Sequence, residues 1–297
     1  MRITQNMLNR TLLSDLQNVQ DKLSHTQQEL SSGKSLLQPS DDPFATSRAL
    51  RLQNELAQNE QYQRNVSEAN SWQSVTDTAL GNINDDVQRA RDLVVQAAND
   101  TSGTAARNDI AAEITQLIDS IKTSGNTQYA GRYVFSGSAT LTQPYTVGAS
   151  DAYGGNAEVV KREIGPNVQI DLNQPGISVI GDTNSGILNT LRTIVNDLQS
   201  NNGQALQTTD LQNLDAAVDS ISTARAVVGA SQNRLTTANS RLQDLQQTAT
   251  SLLSDTEDAD MAKTMVDFST QTAVYQSALR AGAQIIQPSL MDFLPSS

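Results

Sequence analysis

Cysteine is absent from the 297 residues, which excludes disulfides, thiol nucleophiles and Cys-ligated zinc. A chain without thiols also suits a protein that crosses compartments unfolded. Aromatic residues make up only 4% although 37% of the chain is hydrophobic. A thick globular core would call for more of them, whereas long helices with thin apolar seams are filled by Leu, Val and Ala. Basic residues are outnumbered, 20 Lys and Arg against 32 Asp and Glu, for a net charge of −12. With no Lys/Arg cluster to displace counterions from phosphate, nucleic acid is not an expected partner. Anionic membrane surfaces are disfavoured for the same reason, and no apolar run reaches the roughly 18 residues of a spanning helix. The opening Met1-Arg2-Ile3-Thr4-Gln5-Asn6 has no apolar core of a signal peptide, so export without a cleaved leader is the expectation.

What the chain does have is helical periodicity at both ends. Leu12, Leu16, Val19, Leu23, Thr26 and Leu30 recur at alternating spacings of 4 and 3, a heptad seam with one polar lapse. Gly33 is placed to close this helix in a left-handed conformation. The turn Pro39-Ser40-Asp41-Asp42-Pro43 then restarts the chain, with Pro43 at a first helical position and Asp41 or Asp42 as its cap. A long helix is expected from Pro43 to Asn99, with a polar early seam (Leu52, Leu56, Asn59, Gln63, Val66) and a firmer later one from Trp72 to Ala97. Ile110, Ile114, Leu117, Ile118 and Ile121 mark a third helix closed by Gly125.

The texture changes after Gly125. Tyr129–Gly137 is strand-like, and residues 138–184 are rich in Gly and Pro, with short alternating runs at Glu158–Ile164 and Val168–Leu172. Helices resume at Ile187. The clearest seam in the chain follows: Ile221, Ala224, Val228, Ser231, Leu235, Ala238, Leu242, Leu245, Ala249 and Leu252. It breaks at Asp255–Asp260, and a terminal seam starts in a shifted phase at Met261, Met265, Phe268, Thr272, Tyr275, Leu279, Gly282 and Ile286. The expected fold is therefore mainly α: an elongated helical bundle or coiled-coil rod built from paired N- and C-terminal arms, with a small inserted β-rich head.

No catalytic constellation emerges. His25 lies within the first heptad helix without a Ser or Cys nucleophile motif and reads as a solvated or interface residue. Asp41-Asp42 reads as helix capping rather than a metal pair. Asp255–Asp260 lacks the glycine at the sixth position of a calcium loop and carries Val266 where the twelfth should be Glu. The glycines of Gly131–Gly137 and Gly154-Gly155 are not followed by the Gly-Lys-Ser/Thr of a phosphate loop. An enzyme is not expected, and neither cofactor nor metal.

Specific residues carry a resemblance. Leu30-Ser-Ser-Gly-Lys-Ser-Leu-Leu-Gln-Pro-Ser-Asp-Asp-Pro43 resembles the signature of the flagellin superfamily. So do Tyr62-Gln-Arg-Asn65 with Ala69-Asn70, Val94–Thr101, Gly229-Ala-Ser-Gln-Asn-Arg-Leu235 and Glu257–Asp260. The match spans both arms, residues 1–137 and 185–297, and leaves the head out. The opening Met1–Met7, Tyr129–Gly137 and the closing Ile286–Leu294 look more like the hook–filament junction members than like filament flagellins, although the trailing Pro295-Ser-Ser297 departs from the family tail.

That resemblance implies a structural adaptor exported through the flagellar type III channel with an export chaperone on its C-terminal region. Its implied partners are copies of itself in a ring or tube, a neighbouring hook-associated protein, and flagellin. Residues 1–32 with 261–297 would form an inner-tube domain, 33–137 with 185–260 a helical rod, and 138–184 the surface head. The candidate assembly interface is Leu12, Leu16, Val19, Leu23, Leu30, Met261, Met265, Phe268, Tyr275, Leu279, Ile286, Leu290, Phe293 and Leu294, with Gly33, Ser40, Asp41, Asp42 and Pro43 as its turn. The alternatives are a flagellin proper and, from a different class, an adhesin-like module on a helical stalk.

A lone amphipathic helix of the length of Leu12–Leu30 is marginal in water. Its seam needs another seam, and the terminal one at Met261–Ile286 is the available mate. Pairing still leaves outer faces for neighbouring subunits, so the free chain is expected to be less helical than the assembled one. Circular dichroism of both states checks this, and equal helicity would overturn it.

Overall fold

A computed structural model describes residues 5–98, 103–148 and 150–286. Its elements are α1 (Gln5–Ser32), α2 (Pro43–Ala98), α3 (Thr104–Gly125), the strands β1 (Gln128–Tyr129), β2 (Arg132–Tyr133), β3 (Lys161–Gly165) and β4 (Val168–Asp171), then α4 (Gly176–Val179), α5 (Gly186–Gln199), α6 (Gly203–Ala205), a π-helical turn Leu206–Asp210, α7 (Leu211–Glu257) and α8 (Met261–Ile286). The chain divides into two compact units, residues 58–245 and residues 1–57 with 246–297.

The larger unit is organised around α2 and α7, which run antiparallel. Asp77 pairs with Arg225 at 3.0 Å and Arg91 with Asp215 at 2.6 Å, while the Asn59 side chain donates to the Leu242 carbonyl at 2.8 Å. The ion pairs are solvent-exposed and fix register more than they stabilise. Stabilisation comes from the seams beneath: Trp72, Thr76, Ala79, Ile83, Val87, Ala90, Val94 and Ala97 of α2 are all buried, as are Ile221, Ala224, Val228, Leu235 and Leu242 of α7. Trp72 packs edge-on against Tyr129 with ring centres 5.9 Å apart. The hydrophobic faces of α3 and α5 close the other side, through Ile114, Ile118 and Ile121 and through Leu188, Leu191, Ile194 and Leu198.

The α7 seam departs from the expected pattern at its C-terminal end. Leu245 and Leu252 are exposed, and the covered positions become Gln246, Ala249 and Leu253. Two successive steps of four, from Ala238 to Leu242 to Gln246, break the 3–4 alternation. Such a stutter locally unwinds the seam and moves the covered face by one residue.

The segment expected as a small β-rich head holds one short sheet, β3 paired antiparallel with β4. It also shares the helical core: Tyr145, Ile164, Ile170, Leu172, Val179 and Ile180 belong to the same buried cluster as the α2 seam. The hairpin is stitched to α2 by Asn65 donating to the Glu163 carbonyl at 2.8 Å, by Gln73 donating to the Leu172 carbonyl at 3.1 Å, and by the Arg162–Glu68 ion pair at 2.8 Å. β1 and β2 form a separate two-residue hairpin. Its turn places Ala130 and Gly131 at φ 49° and 76°, the pair of positive angles that matches strand twist.

A buried charge cluster anchors the long loop before β3. Lys122 of α3 is wholly buried, and its Nζ lies 2.6 Å from Asp151 Oδ1. Arg192 of α5 meets the same carboxylate with two bonds of 2.9 Å. Burial pushes the Asp151 carboxyl up, but the hydrogen bonds and charges of Arg192 and Lys122 outweigh it and hold the group below its usual range. The cluster's stability is therefore complete above the unfolded carboxylate range and is lost as pH falls through the lowered folded value. Asp151→Asn removes the carboxylate nearest the buried Lys122 ammonium, with Asp119 left at 3.9 Å, and should cost about 3 kcal/mol in urea unfolding at pH 7. The gap from the wild type should narrow below about pH 4.

Candidate functional site: the terminal helix pair and its joint

The smaller unit brings the chain ends together. α1 and α8 lie antiparallel in contact, with Leu12 near Gly282 and Thr26 near Gln271. A Cβ on Gly282 would sit 3.0 Å from Leu12 Cδ2, so glycine permits the close approach of the helices. The hydroxyl of buried Thr26 donates to Gln271 Oε1 at 2.9 Å, so the one polar lapse in the seam is satisfied across the pair. On α1, Leu12, Leu16, Val19, Leu23 and Leu30 are half-buried, on the face that the heptad spacing picks out.

On α8 the face is displaced from the expected one. Thr264 and Gly282 are buried, and Phe268, Gln271, Thr272, Tyr275 and Ala278 are half-buried. Met261, Met265 and Leu279 stand exposed, Met265 by 63%, along with Val266 and Val274. The reason is that α8 is apolar on more than one side, so spacing alone does not select a face. The choice falls to the close approach at Gly282 and the Thr26–Gln271 bond. The side chain of Ile286, and Leu290, Phe293 and Leu294 altogether, lie outside the described residues.

The two helix breaks meet in one joint. α1 ends where the Gly33 N–H donates to the Glu29 carbonyl at 2.8 Å, with Gly33 at φ 73°. α7 ends at Glu257, and a short antiparallel bridge ties the breaks together at Lys34 and Asp258. Ser35 N–H donates to the Glu257 carbonyl at 2.7 Å and Ala259 N–H to the Gly33 carbonyl at 2.9 Å. Lys34 Nζ reaches Glu257 Oε1 at 2.6 Å, and Gln53 of α2 donates to the other oxygen at 3.2 Å.

Both restarting helices are capped by aspartate. Asp42 Oδ1 accepts from Phe44 and Ala45 N–H at 2.9 Å each, ahead of Pro43 at the first position of α2. Asp260 Oδ1 accepts from Ala262 and Lys263 N–H at 3.1 Å each. Asp41 instead closes the preceding turn, accepting from Gln38 N–H at 2.8 Å and Leu37 N–H at 3.1 Å. Those bonds, Gln38 first, together with His25 hold its carboxyl below the usual range. His25 sits half-exposed between Glu29, 3.3 Å from Nδ1, and Asp41, 3.6 Å from Nε2. Ser40 is exposed on the same turn, its hydroxyl 3.5 Å from Gln38 Oε1. The sequence pointed to each break separately. The bond between them rests on Lys34, Ser35, Glu257 and Asp258, which lie within two of the stretches that carry the family resemblance but show no local sign of pairing with each other.

The site holds and orients helices, and no cluster of three potential metal ligands occurs among the described residues. Gly33→Val forces a branched side chain into the left-handed region and should lower stability by about 1–2 kcal/mol. Lys34→Ala removes an ion pair that is exposed on the lysine side and leaves Glu257 to Gln53, and should cost about 1 kcal/mol. Thermal unfolding of the two variants checks the contrast.

The N-terminal helical region of bacterial flagellin matches residues 3–140, and the C-terminal helical region of bacterial flagellin matches residues 211–294. Flagellar hook-associated protein 3 of Escherichia coli is 26% identical over 304 aligned positions, covering 95% of this chain and 96% of that protein. A Salmonella typhimurium flagellin is 33% identical over 180 residues, but the match covers 60% of this chain and only 32% of the flagellin. The crystal structure of flagellar hook associated protein-3 from Legionella pneumophila covers 69% of this chain and 97% of its own at a TM-score of 0.61 and 16% identity, a likeness of fold.

Proposed function

The chain belongs to the bacterial flagellin family, and from that premise we propose that it is a structural subunit of the flagellum, the adaptor at the hook–filament junction. The observation that carries this reading is the end-to-end match to hook-associated protein 3, where the flagellin match covers a third of the longer partner. A filament subunit is the weaker alternative.

The terminal helices are the assembly element. α1 and α8 satisfy each other on one face and leave Met261, Met265, Val266, Val274 and Leu279 exposed. A ring or tube of copies buries such a face at every subunit, which a solitary chain cannot do. In this proposal residues 1–32 with 261–297 form the inner layer, 33–137 with 185–260 the shaft, and 138–184 the outer surface. The hook-side neighbour is another hook-associated protein and the distal neighbour is flagellin. Export proceeds through the flagellar type III channel, with a chaperone covering the C-terminal helix until assembly. The chain is assigned no catalytic role, in keeping with relatives that are structural flagellar proteins.

Deletion separates the adaptor from the filament subunit. Loss of the adaptor leaves flagellin with no base to polymerise on, so unpolymerised flagellin should accumulate in the medium of a non-motile strain. Filament-less cells that release no flagellin would overturn the adaptor reading in favour of the flagellin one.

A further inference from the structure

In the larger unit, the β3–β4 hairpin and α7 enclose an open groove of about 570 Å³. Ile164, Pro166 and Val168 form one wall and Ala238, Leu242 and Leu245 the other, with Val168 and Leu245 nearly half exposed. The α7 stutter creates part of it, because Leu245 leaves the seam and turns its side chain to the groove. Arg234 and Arg241 flank the apolar walls, two turns apart on the same helix face, and no acid lines the site. The result is a positive, apolar recess on a chain of net charge −12.

The smaller unit carries a matching projection. Phe44 is 89% exposed, held at the first turn of α2 by the Asp42 cap. The cap orders the Phe44 backbone, and a phenylalanine ring has only two side-chain torsions to lose when it is buried elsewhere. Asp41 and Asp42 precede it, and with Arg48 one turn further the corner still carries a net negative charge. Aromatic side chains seated in apolar recesses with arginine at the rim are the usual energetic centres of protein contacts.

We infer that the Phe44 corner of one copy docks into the Arg234–Arg241 groove of a second copy. The inference rests on the assembly reading above and names a contact within it. Knob and groove are different surfaces, so the contact is head-to-tail. It propagates around a ring or along a helix instead of closing a twofold dimer. It is also smaller than the roughly 800 Å² per partner of a stable pair, so it contributes within an assembly already held by the terminal helices.

The absence of cysteine makes the test clean. Ser47→Cys, one turn from Phe44, and Thr237→Cys, in the groove, are purified separately, mixed at high concentration and oxidised. The expected result is a disulfide-linked heterodimer carrying the 47–237 bond by peptide mass analysis. Adding Phe44→Ala to the first variant, or Arg234→Glu with Arg241→Glu to the second, should reduce it roughly tenfold or more. Phe44 and both arginines are exposed, so the substitutions should leave the fold intact, and a circular dichroism spectrum unchanged from the wild type is required of each variant before it is mixed. Ser220→Cys, on the exposed side of the same helix, should give only background linkage with Ser47→Cys. Sedimentation of the wild type runs in parallel. Self-association without the 47–237 bond, or with a bond indifferent to Phe44, overturns the inference and leaves the assembly reading standing, the groove then belonging to another partner. A wild type that stays monomeric at every concentration, and in the presence of its filament-side neighbour, counts against the assembly reading itself.

Discussion

Two helices from opposite ends of the chain meet at a seam that neither could stabilise alone. α1 offers leucines at alternating spacings, and α8 answers with a face relieved by Gly282, where the two backbones come close. The contact is non-local, so closing it costs the entropy of bringing the two chain ends together. The hydrogen-bonded joint offsets part of that cost. By linking the Gly33–Ser35 break to the Glu257–Ala259 break, the backbone bonds bring α1 and α8 out side by side. Without the bridge, each arm would have a free pivot, and the seam would have to bear the whole entropy of pairing.

The larger unit solves a different problem. Within it, the stretches of α2 and α7 cannot by themselves cover the apolar faces they present. α3, α5 and the loops around β3 and β4 supply the remaining cover. Buried side chains with polar ends, such as Tyr145 donating to the Gly181 carbonyl at 2.9 Å and Tyr153 donating to the Phe135 carbonyl at 2.7 Å, hold those irregular loops in place. Burial raises the phenol of each, that of Tyr153 to about 12. The Lys122–Asp151–Arg192 cluster serves the same end with charge. It is costly to bury and costly to break, so it selects one loop arrangement rather than adding to overall stability.

These features explain how an acidic, aromatic-poor chain suits a place in a larger assembly. Among the described residues, its scarce aromatic rings include loop anchors, the α2 core at Trp72, the terminal pair at Phe268 and Tyr275, and the exposed Phe44. The exposed methionines and leucine of α8 flank a face that is already occupied. A subunit built in this way still presents apolar surface to its neighbours when its own terminal helices are paired.

The seams of α1, α2 and α3, the helix closures at Gly33 and Gly125 and the restart at Pro43 were legible in the sequence, because heptad spacing, glycine, proline and a capping aspartate act over a few residues, whereas α4, α6 and the π-helical turn carried no such signal. The break at Asp255–Asp260 was legible for the same reason. Tertiary structure decided the rest. The face of α8 depended on one close approach and one hydrogen bond across the pair, since its apolar residues allow more than one phase. The covered side of α7 beyond Leu242 depended on a stutter whose polar member, Gln246, has no hydrophobic signature. Within residues 138–184 the alternating runs marked the strands, but that Ile164, Ile170 and Leu172 join the α2 core depended on long-range packing that no local spacing records. The joint needed both chain ends in view, since a backbone bond between Ser35 and Glu257 leaves no trace in either local sequence.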